Sequence, residues 1–197
     1  MPRGSLEQRV RRLRLPLRTR RLELVLPDPA QVPELVELLR TPEIARWTLH
    51  IPYPYSPSDA REYVQRARRR FRAGKGLSLQ IVRREDRVLI GGIGLHDLSD
   101  EGARAEVGYW LGRRYRGMGY VAEAVEALLK IGYRELGLHR IEAGVLPGNR
   151  ASIAVLRRAG FTREGVLRDY VKKDGRWCTT LVFSRLSTDR PRRGPPD

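Results

Sequence analysis

Apolar residues recur at every second position in several short runs: Leu22, Leu24 and Leu26 within residues 20–26, and Leu77, Leu79 and Ile81 within residues 77–83. A period of two places such side chains on one face of a strand. Residues 88–96 read as the next strand after the turn Arg84-Glu85-Asp86-Arg87, so the two form a hairpin. Gly91, Gly92 and Gly94 within it predict a bulge or a close approach of another backbone. Residues 105–111 alternate as well. Elsewhere the spacing changes to three and four. Residues 32–39 predict a short helix, and Thr41-Pro42 starts another, with Thr41 as N-cap and Pro42 in the first turn. Ser56-Pro57-Ser58-Asp59 caps a helix running to about residue 72, with Tyr63, Val64, Ala67 and Phe71 facing inward and a run of arginines facing water. Val121, Val125, Leu128 and Leu129 predict a long helix that Leu136-Gly137-Leu138 closes. A strand at 139–146 follows, then a helix to Arg158 capped by Asn149, then strands at about 162–171 and 176–186 joined by Lys173-Asp174-Gly175. The expected fold is α+β: a mixed, mostly antiparallel central sheet flanked by helices, with one parallel β-α-β crossover.

That crossover carries the densest signal. Strand 105–111 runs into Arg113-Arg114-Tyr115-Arg116-Gly117-Met118-Gly119-Tyr120, and a helix follows at once. Glycines two apart let a backbone turn sharply and approach a ligand with no Cβ in the way. The unpaired N–H groups that open a helix favour phosphate or pyrophosphate there. Arg114 and Arg116 add full charges. Three readings fit this stretch: a solvated basic turn, a dinucleotide site, or an acyl-CoA pyrophosphate loop. Gly117-Met118-Gly119-Tyr120-Val121-Ala122 fits the dinucleotide glycine pattern, with Glu142 about 20 residues on as a ribose-binding acid. Against it, residues 112–116 separate strand from first glycine, Glu142 sits near the start of its strand, and a dinucleotide fold needs several parallel crossovers.

Composition narrows the classes. The chain has 197 residues, 41% of them hydrophobic, enough for one domain. Residues 1–18, with Arg3, Arg9, Arg11, Arg12, Arg14 and Arg18, read as a mobile basic tail, residues 19–187 as the domain, and residues 188–197 as a Pro/Arg tail. No run approaches the roughly 18 apolar residues of a membrane span, and no apolar signal-peptide core is visible. Cys178 is the only cysteine and is expected in the core; with no intrachain disulfide possible, the cytoplasm is the expected compartment. His50, His96 and His139 are scattered, with no metal-site spacing. The formal charge is +16, which permits a polyanionic partner. Only Lys75, Lys130, Lys172 and Lys173 are lysines, however, a ratio that codon bias toward arginine also produces.

The motifs in order resemble the GNAT acetyltransferase superfamily from about residue 20 to 186. Glu106-Val107-Gly108-Tyr109-Trp110-Leu111 resembles its fourth strand, Arg114-Tyr115-Arg116-Gly117-Met118-Gly119 its Arg/Gln-x-x-Gly-x-Gly/Ala loop, and Asn149-Arg150-Ala151-Ser152 with Gly160-Phe161 its next strand-to-helix segment. Glu164-Gly165, Asp169-Tyr170 and Asp174-Gly175-Arg176-Trp177 are similar to the bacterial branch that acetylates ribosomal proteins at N-terminal alanine or serine.

The resemblance implies acetyl-CoA as co-substrate and no metal. It assigns the cofactor to Tyr109, Trp110, Leu111, Arg114, Arg116, Gly117, Met118, Gly119, Tyr120 and Asn149. Glu106 becomes the base that frees the amine, and backbone N–H groups near Tyr109 and Trp110 become donors to the oxyanion. Many relatives protonate the leaving thiolate with a tyrosine where this chain has Leu156; Ser152 is the alternative donor, and Tyr170 a further one. The loop at 47–55, with Trp47, Tyr53 and Tyr55, is both a lid and a candidate acceptor wall, which Tyr170 extends. The implied acceptor is a protein N-terminus or a small amine such as an antibiotic or polyamine, with ribosome proximity, no membrane, and a monomeric or homodimeric state. The reading from a different class is a non-catalytic RNA- or ribosome-binding module using the basic surface.

Overall fold

The alternating runs become strands of one eight-stranded sheet. The structure is a computed structural model and describes residues 4–189. Its elements are α1 (Leu6–Arg11), β1 (Leu17–Arg18), β2 (Leu22–Val25), α2 (Val32–Leu39), α3 (Pro42–Trp47), α4 (Pro57–Ala73), β3 (Leu77–Arg83), β4 (Leu89–Ser99), β5 (Arg104–Leu111), α5 (Tyr120–Arg134), β6 (Arg140–Val145), α6 (Arg150–Arg158), β7 (Thr162–Lys173) and β8 (Arg176–Leu186). The strand order is β1-β2-β3-β4-β5-β6-β8-β7. Every pairing is antiparallel except β5–β6. One parallel crossover, made by α5, removes the dinucleotide reading. Glu142 is moreover held in ion pairs with Arg140 and Arg104.

The two faces of the sheet differ. Ala105, Val107, Tyr109 and Leu111 point to one side with Ile141, and α5 lies on that side: a Cβ on Gly132 would stand 2.7 Å from Ile141 Cδ1. Ala124, Val125, Leu128 and Leu129 form the apolar stripe that α5 buries there. Glu106, Gly108 and Trp110 point to the opposite side, where α2 brings Leu38 against Gly112 and packs beside α4. Ser56 and Asp59 cap α4 reciprocally, through Asp59 N–H to Ser56 Oγ (3.2 Å) and Ser56 N–H to Asp59 Oδ2 (2.8 Å). Gly74, at φ 75°, ends it. Thr41 precedes α3 in extended conformation with Pro42 in the first turn, as expected, but its side chain makes no cap hydrogen bond.

The basic segment expected to be a tail is built into the fold from Ser5 onward. Ser5 and Gln8 form a capping box at the start of α1. Leu6, Val10 and Leu13, spaced four and three apart, are all buried in the common core. Arg9 pairs with Asp100 at 3.0 Å, the Leu6 N–H donates to Asp100 Oδ2 at 3.1 Å, and Arg11 donates to the Ala73 carbonyl at 3.1 Å. A Cβ on Gly74 would sit 2.4 Å from the Glu7 carbonyl oxygen, so the end of α4 admits α1 only as glycine. The arginine density had masked this three-residue stripe. We expect Leu6→Ala to lower the free energy of unfolding by about 2–4 kcal/mol, measured by urea titration; a loss near zero would return the segment to a tail.

Cys178 is also not where expected. It is half-buried on β8, opposite Val171, in the part of the β7–β8 hairpin that extends beyond the β6 ladder. Residues 190–197 of the expected C-terminal tail lie outside the described residues.

Candidate active site

The β5–β6 ladder is only three pairs long: Arg104–Arg140, Ala105–Ile141 and Glu106–Glu142. Both strands continue, β5 to Leu111 and β6 to Val145, but they no longer pair. The sheet therefore opens into a cleft with Glu106 at its apex. The strand N–H and C=O groups beyond that point face the opening without a ladder partner across it, as a wall that accepts a ligand requires.

Four features line the cleft. At the apex, the Gly144 N–H of β6 donates to Glu106 Oε1 at 3.4 Å. Glu106 reaches solvent along the cleft, yet the surrounding protein raises its pKa above the ordinary carboxylate value. Desolvation is the main cause, opposed by the Gly144 hydrogen bond and reinforced by Asp97 and Glu142.

On the α5 face, the Tyr109 hydroxyl meets Ser152 Oγ at 2.9 Å, joining β5 to α6 across the opening. Ser152 sits there because the Asn149 side chain accepts its N–H at 3.2 Å as the cap of α6. Burial pushes the Tyr109 phenol up to about 12, so it remains an O–H donor at neutral pH. Sequence reasoning places Tyr109 among the cofactor contacts and misses this hydroxyl pair; Leu156, one turn further along α6, is wholly buried.

The third feature is the turn before α5. Gly117 (φ 79°) and Gly119 (φ 77°) are both left-handed, and Gly119 is the N-cap of α5 without a side chain to occupy the helix's free N–H groups. Among the described residues nothing lies within 4 Å of a Cβ placed on Gly117. The loop thus presents bare backbone to open space beside Met118, which is half exposed. It is braced from behind: Arg21 donates to the Met118 carbonyl at 2.9 Å, pairs with Glu123 at 2.7 Å and stacks over Tyr120 at 4.5 Å. Arg116 donates to the Leu111 carbonyl at 3.2 Å. Glu43 of α3 lies 3.4 Å from Arg113 and 3.9 Å from Arg116, whereas no carboxylate pairs with Arg114 among the described residues.

The fourth is a band of missing side chains. Gly92 stands opposite Trp110 and Gly94 opposite Gly108, all on the Glu106 face. The Trp110 indole lies over Gly92, where a Cβ would stand 2.5 Å from Nε1. The close backbone approach expected of the three glycines is at the other two: a Cβ would stand 2.4 Å from the Trp110 carbonyl oxygen at Gly91 and 2.5 Å from the Leu77 carbonyl oxygen at Gly94.

The family description "Acetyltransferase (GNAT) domain" matches residues 21–162, most of this structure. The chain belongs to the GNAT acetyltransferase family. An uncharacterized N-acetyltransferase, p20, of Bacillus licheniformis is 35% identical over 173 residues, 88% of this chain and 97% of that one. The putative ribosomal N-acetyltransferase YdaF of Bacillus subtilis (strain 168) is 29% identical over 165 residues, 82% and 89% of the two chains. The solved structure of a putative ribosomal-protein-serine acetyltransferase from Vibrio cholerae superposes with a TM-score of 0.78 at 27% identity, covering 86% of this chain and 96% of that chain.

As a GNAT enzyme the protein is an N-acetyltransferase with acetyl-CoA as donor, and the bare Gly117–Gly119 loop suits the diphosphate of that co-substrate. The GNAT frame also sorts the remaining expected residues. Leu111 and Tyr120 are buried, so any contact they make with the donor is through backbone. Trp47 ends α3 and packs its ring on Gly148, 3.5 Å from a Cβ there, so the end of α3 meets the turn before α6. Tyr53 is exposed on that loop. Tyr55 is not on the wall: its side chain is buried in the core, and desolvation pushes its hydroxyl up to about 12. Its position one residue before the α4 cap turns it inward. Tyr170 is 61% exposed on an irregular stretch of β7 between Leu167 and Val171, where Asp169 has φ 47°.

Proposed function

We propose that this enzyme acetylates the α-amine of a protein N-terminus, alanine or serine, of the ribosomal-protein type, by direct transfer while donor and acceptor are bound together. The observation that carries the chemistry is Glu106 at the apex of the split sheet, a carboxylate with a raised pKa facing the opening. An α-amine, with a pKa near 7.7–8.0, loses its proton far more readily at neutral pH than a lysine near 10.4, so one carboxylate of this kind suits it. Similarity to YdaF, a putative ribosomal N-acetyltransferase, and to the putative ribosomal-protein-serine acetyltransferase of Vibrio cholerae supports a ribosomal acceptor, and the +16 charge suits work beside a polyanion in the cytoplasm.

In this reading Arg114, Arg116 and the N–H groups of Gly117 to Tyr120 hold the diphosphate, with the Met118 side chain beside it. Asn149 and the free backbone of Tyr109, Trp110 and Leu111 hold the pantetheine arm along β5. Acetyl-CoA supplies an acetyl group activated as a thioester. A strand N–H near Tyr109 or Trp110 holds the carbonyl oxygen as it gains charge. The Tyr109–Ser152 hydroxyl pair donates a hydrogen bond to the departing sulfur. Trp47, Tyr53 and the exposed Tyr170 edge border the acceptor. The amine attacks directly with no acyl-enzyme, and much of the rate comes from holding the two reactants together.

The test is mass spectrometry of an acceptor panel incubated with enzyme and acetyl-CoA: peptides with free N-terminal alanine or serine, N-terminally blocked lysine peptides, and small amines. One acetyl group gained on free N-termini alone is the expected result. A gain confined to small amines would replace this reading with small-molecule acetylation.

A further inference from the structure

His96 lies directly opposite Glu106 in the β4–β5 ladder and therefore on the same face of the sheet. Its ring does not stand up from the strand. It lies along the bald patch left by two glycines: Nε2 is 2.8 Å from the position a Cβ on Gly94 would take and 3.8 Å from that on Gly108. Alanine at position 94 would strike the imidazole and, at 2.5 Å, the Leu77 carbonyl. The two glycines thus make the berth in which Nε2 rests above β5, between Glu106 at the apex and Trp110 further out. The ring makes no hydrogen bond among the described residues, and it is half-buried rather than sealed. An imidazole held by shape alone beside an open cleft keeps a nitrogen free for a ligand.

Charged groups from several elements surround it. Arg70 of α4 disfavours the imidazolium, Asp97 of β4 favours it, and His50 from the loop after α3 acts on both His96 and Glu106. Burial, with Arg70, holds the His96 pKa below the ordinary histidine value, so the ring is neutral near pH 7 and has a lone pair to offer.

We propose that His96, rather than Glu106, is the base of the transfer: Nε2 takes the proton the acceptor nitrogen loses and passes it to water at the cleft mouth, while the Glu106 carboxylate faces the attacking amine. In this step an N–H bond of the amine breaks, its electron pair stays on nitrogen to form the bond to the acetyl carbon, and the proton resides on Nε2 until water removes it. The proposal rests on acetyl transfer, not on which amine accepts. It is therefore tested on water as well: slow hydrolysis of acetyl-CoA in the same site requires the same proton removal and no acceptor.

The experiment measures acetyl transfer and acetyl-CoA hydrolysis against pH for the full chain and for His96→Gln and His96→Ala, with acetyl-CoA affinity by calorimetry. We expect His96→Gln to lower kcat by about 100-fold or more with acetyl-CoA affinity unchanged, and to abolish the fall in rate on the acid side of the profile that His96 protonation causes. Added imidazole should restore part of the rate to His96→Ala, which a purely structural role would not allow. Wild-type kcat and profile in His96→Gln, or a loss in His96→Ala that imidazole leaves untouched, would overturn the proposal. If hydrolysis responds as expected while free N-termini are not acetylated, His96 stands and only the acceptor assignment falls.

Discussion

Gly117→Glu should abolish measurable acetyl-CoA binding while leaving a folded protein. Three effects converge on that position. A side chain there enters the open space above the loop, where among the described residues nothing now lies within 4 Å. Its backbone is left-handed at φ 79°, a conformation that costs a non-glycine residue about 1–3 kcal/mol. The new carboxylate also opposes the diphosphate it would face. Together these should weaken binding at least about 100-fold, or ~2.8 kcal/mol, read by calorimetry, with circular dichroism close to wild type and melting lowered by the backbone strain alone. Retained acetyl-CoA affinity in a folded variant would remove the diphosphate from this loop.

Glu106→Gln should cost about 100-fold to 10,000-fold in kcat with acetyl-CoA affinity retained, since the side chain keeps its shape and loses only its charge. The sign of the pH dependence follows from the raised pKa. Burial disfavours the carboxylate, so Glu106 remains protonated to a higher pH than an ordinary glutamate and is active only above that value. The wild-type rate should therefore rise with pH through that range, and the corresponding inflection should be missing from the variant. The same shift has a small stability consequence of opposite direction. The neutral form is favoured in the folded protein, so this contribution is fully present below the unfolded pKa and is lost as pH rises through the folded value. An unchanged kcat in Glu106→Gln would leave Glu106 as no more than the hydrogen-bond partner of Gly144.

Much of the donor side was legible because its chemistry is written in backbone requirements. Two glycines two residues apart, just before a helical stripe, announce a left-handed turn and a free helix terminus, and both are present at 117 and 119. Asn149 was legible as a cap for the same reason. The acceptor side was not, because it depends on cross-strand register, which periodicity leaves open. Nothing in the sequence alone says that His96 faces Glu106, or that the gaps at Gly94 and Gly108 are neighbours on one face. Tyr55 was assigned outward because aromatic, proline-rich loops border sites, but the capped start of α4 anchors it in the core. The hydroxyl of Tyr109 was hidden likewise: its partner, Ser152, is 43 residues away in the chain.

The N-terminal helix bears on how the protein is handled. A chain of charge +16 invites trimming of its arginine-rich start to reduce adhesion to nucleic acid during purification. Cutting there would take Leu6, Val10 and Leu13 out of the core along with the charge. Recolouring the surface in place, by exchanging the exposed Arg12 and Arg14 for glutamine, lowers the charge and keeps the apolar stripe that seats the helix against the end of α4.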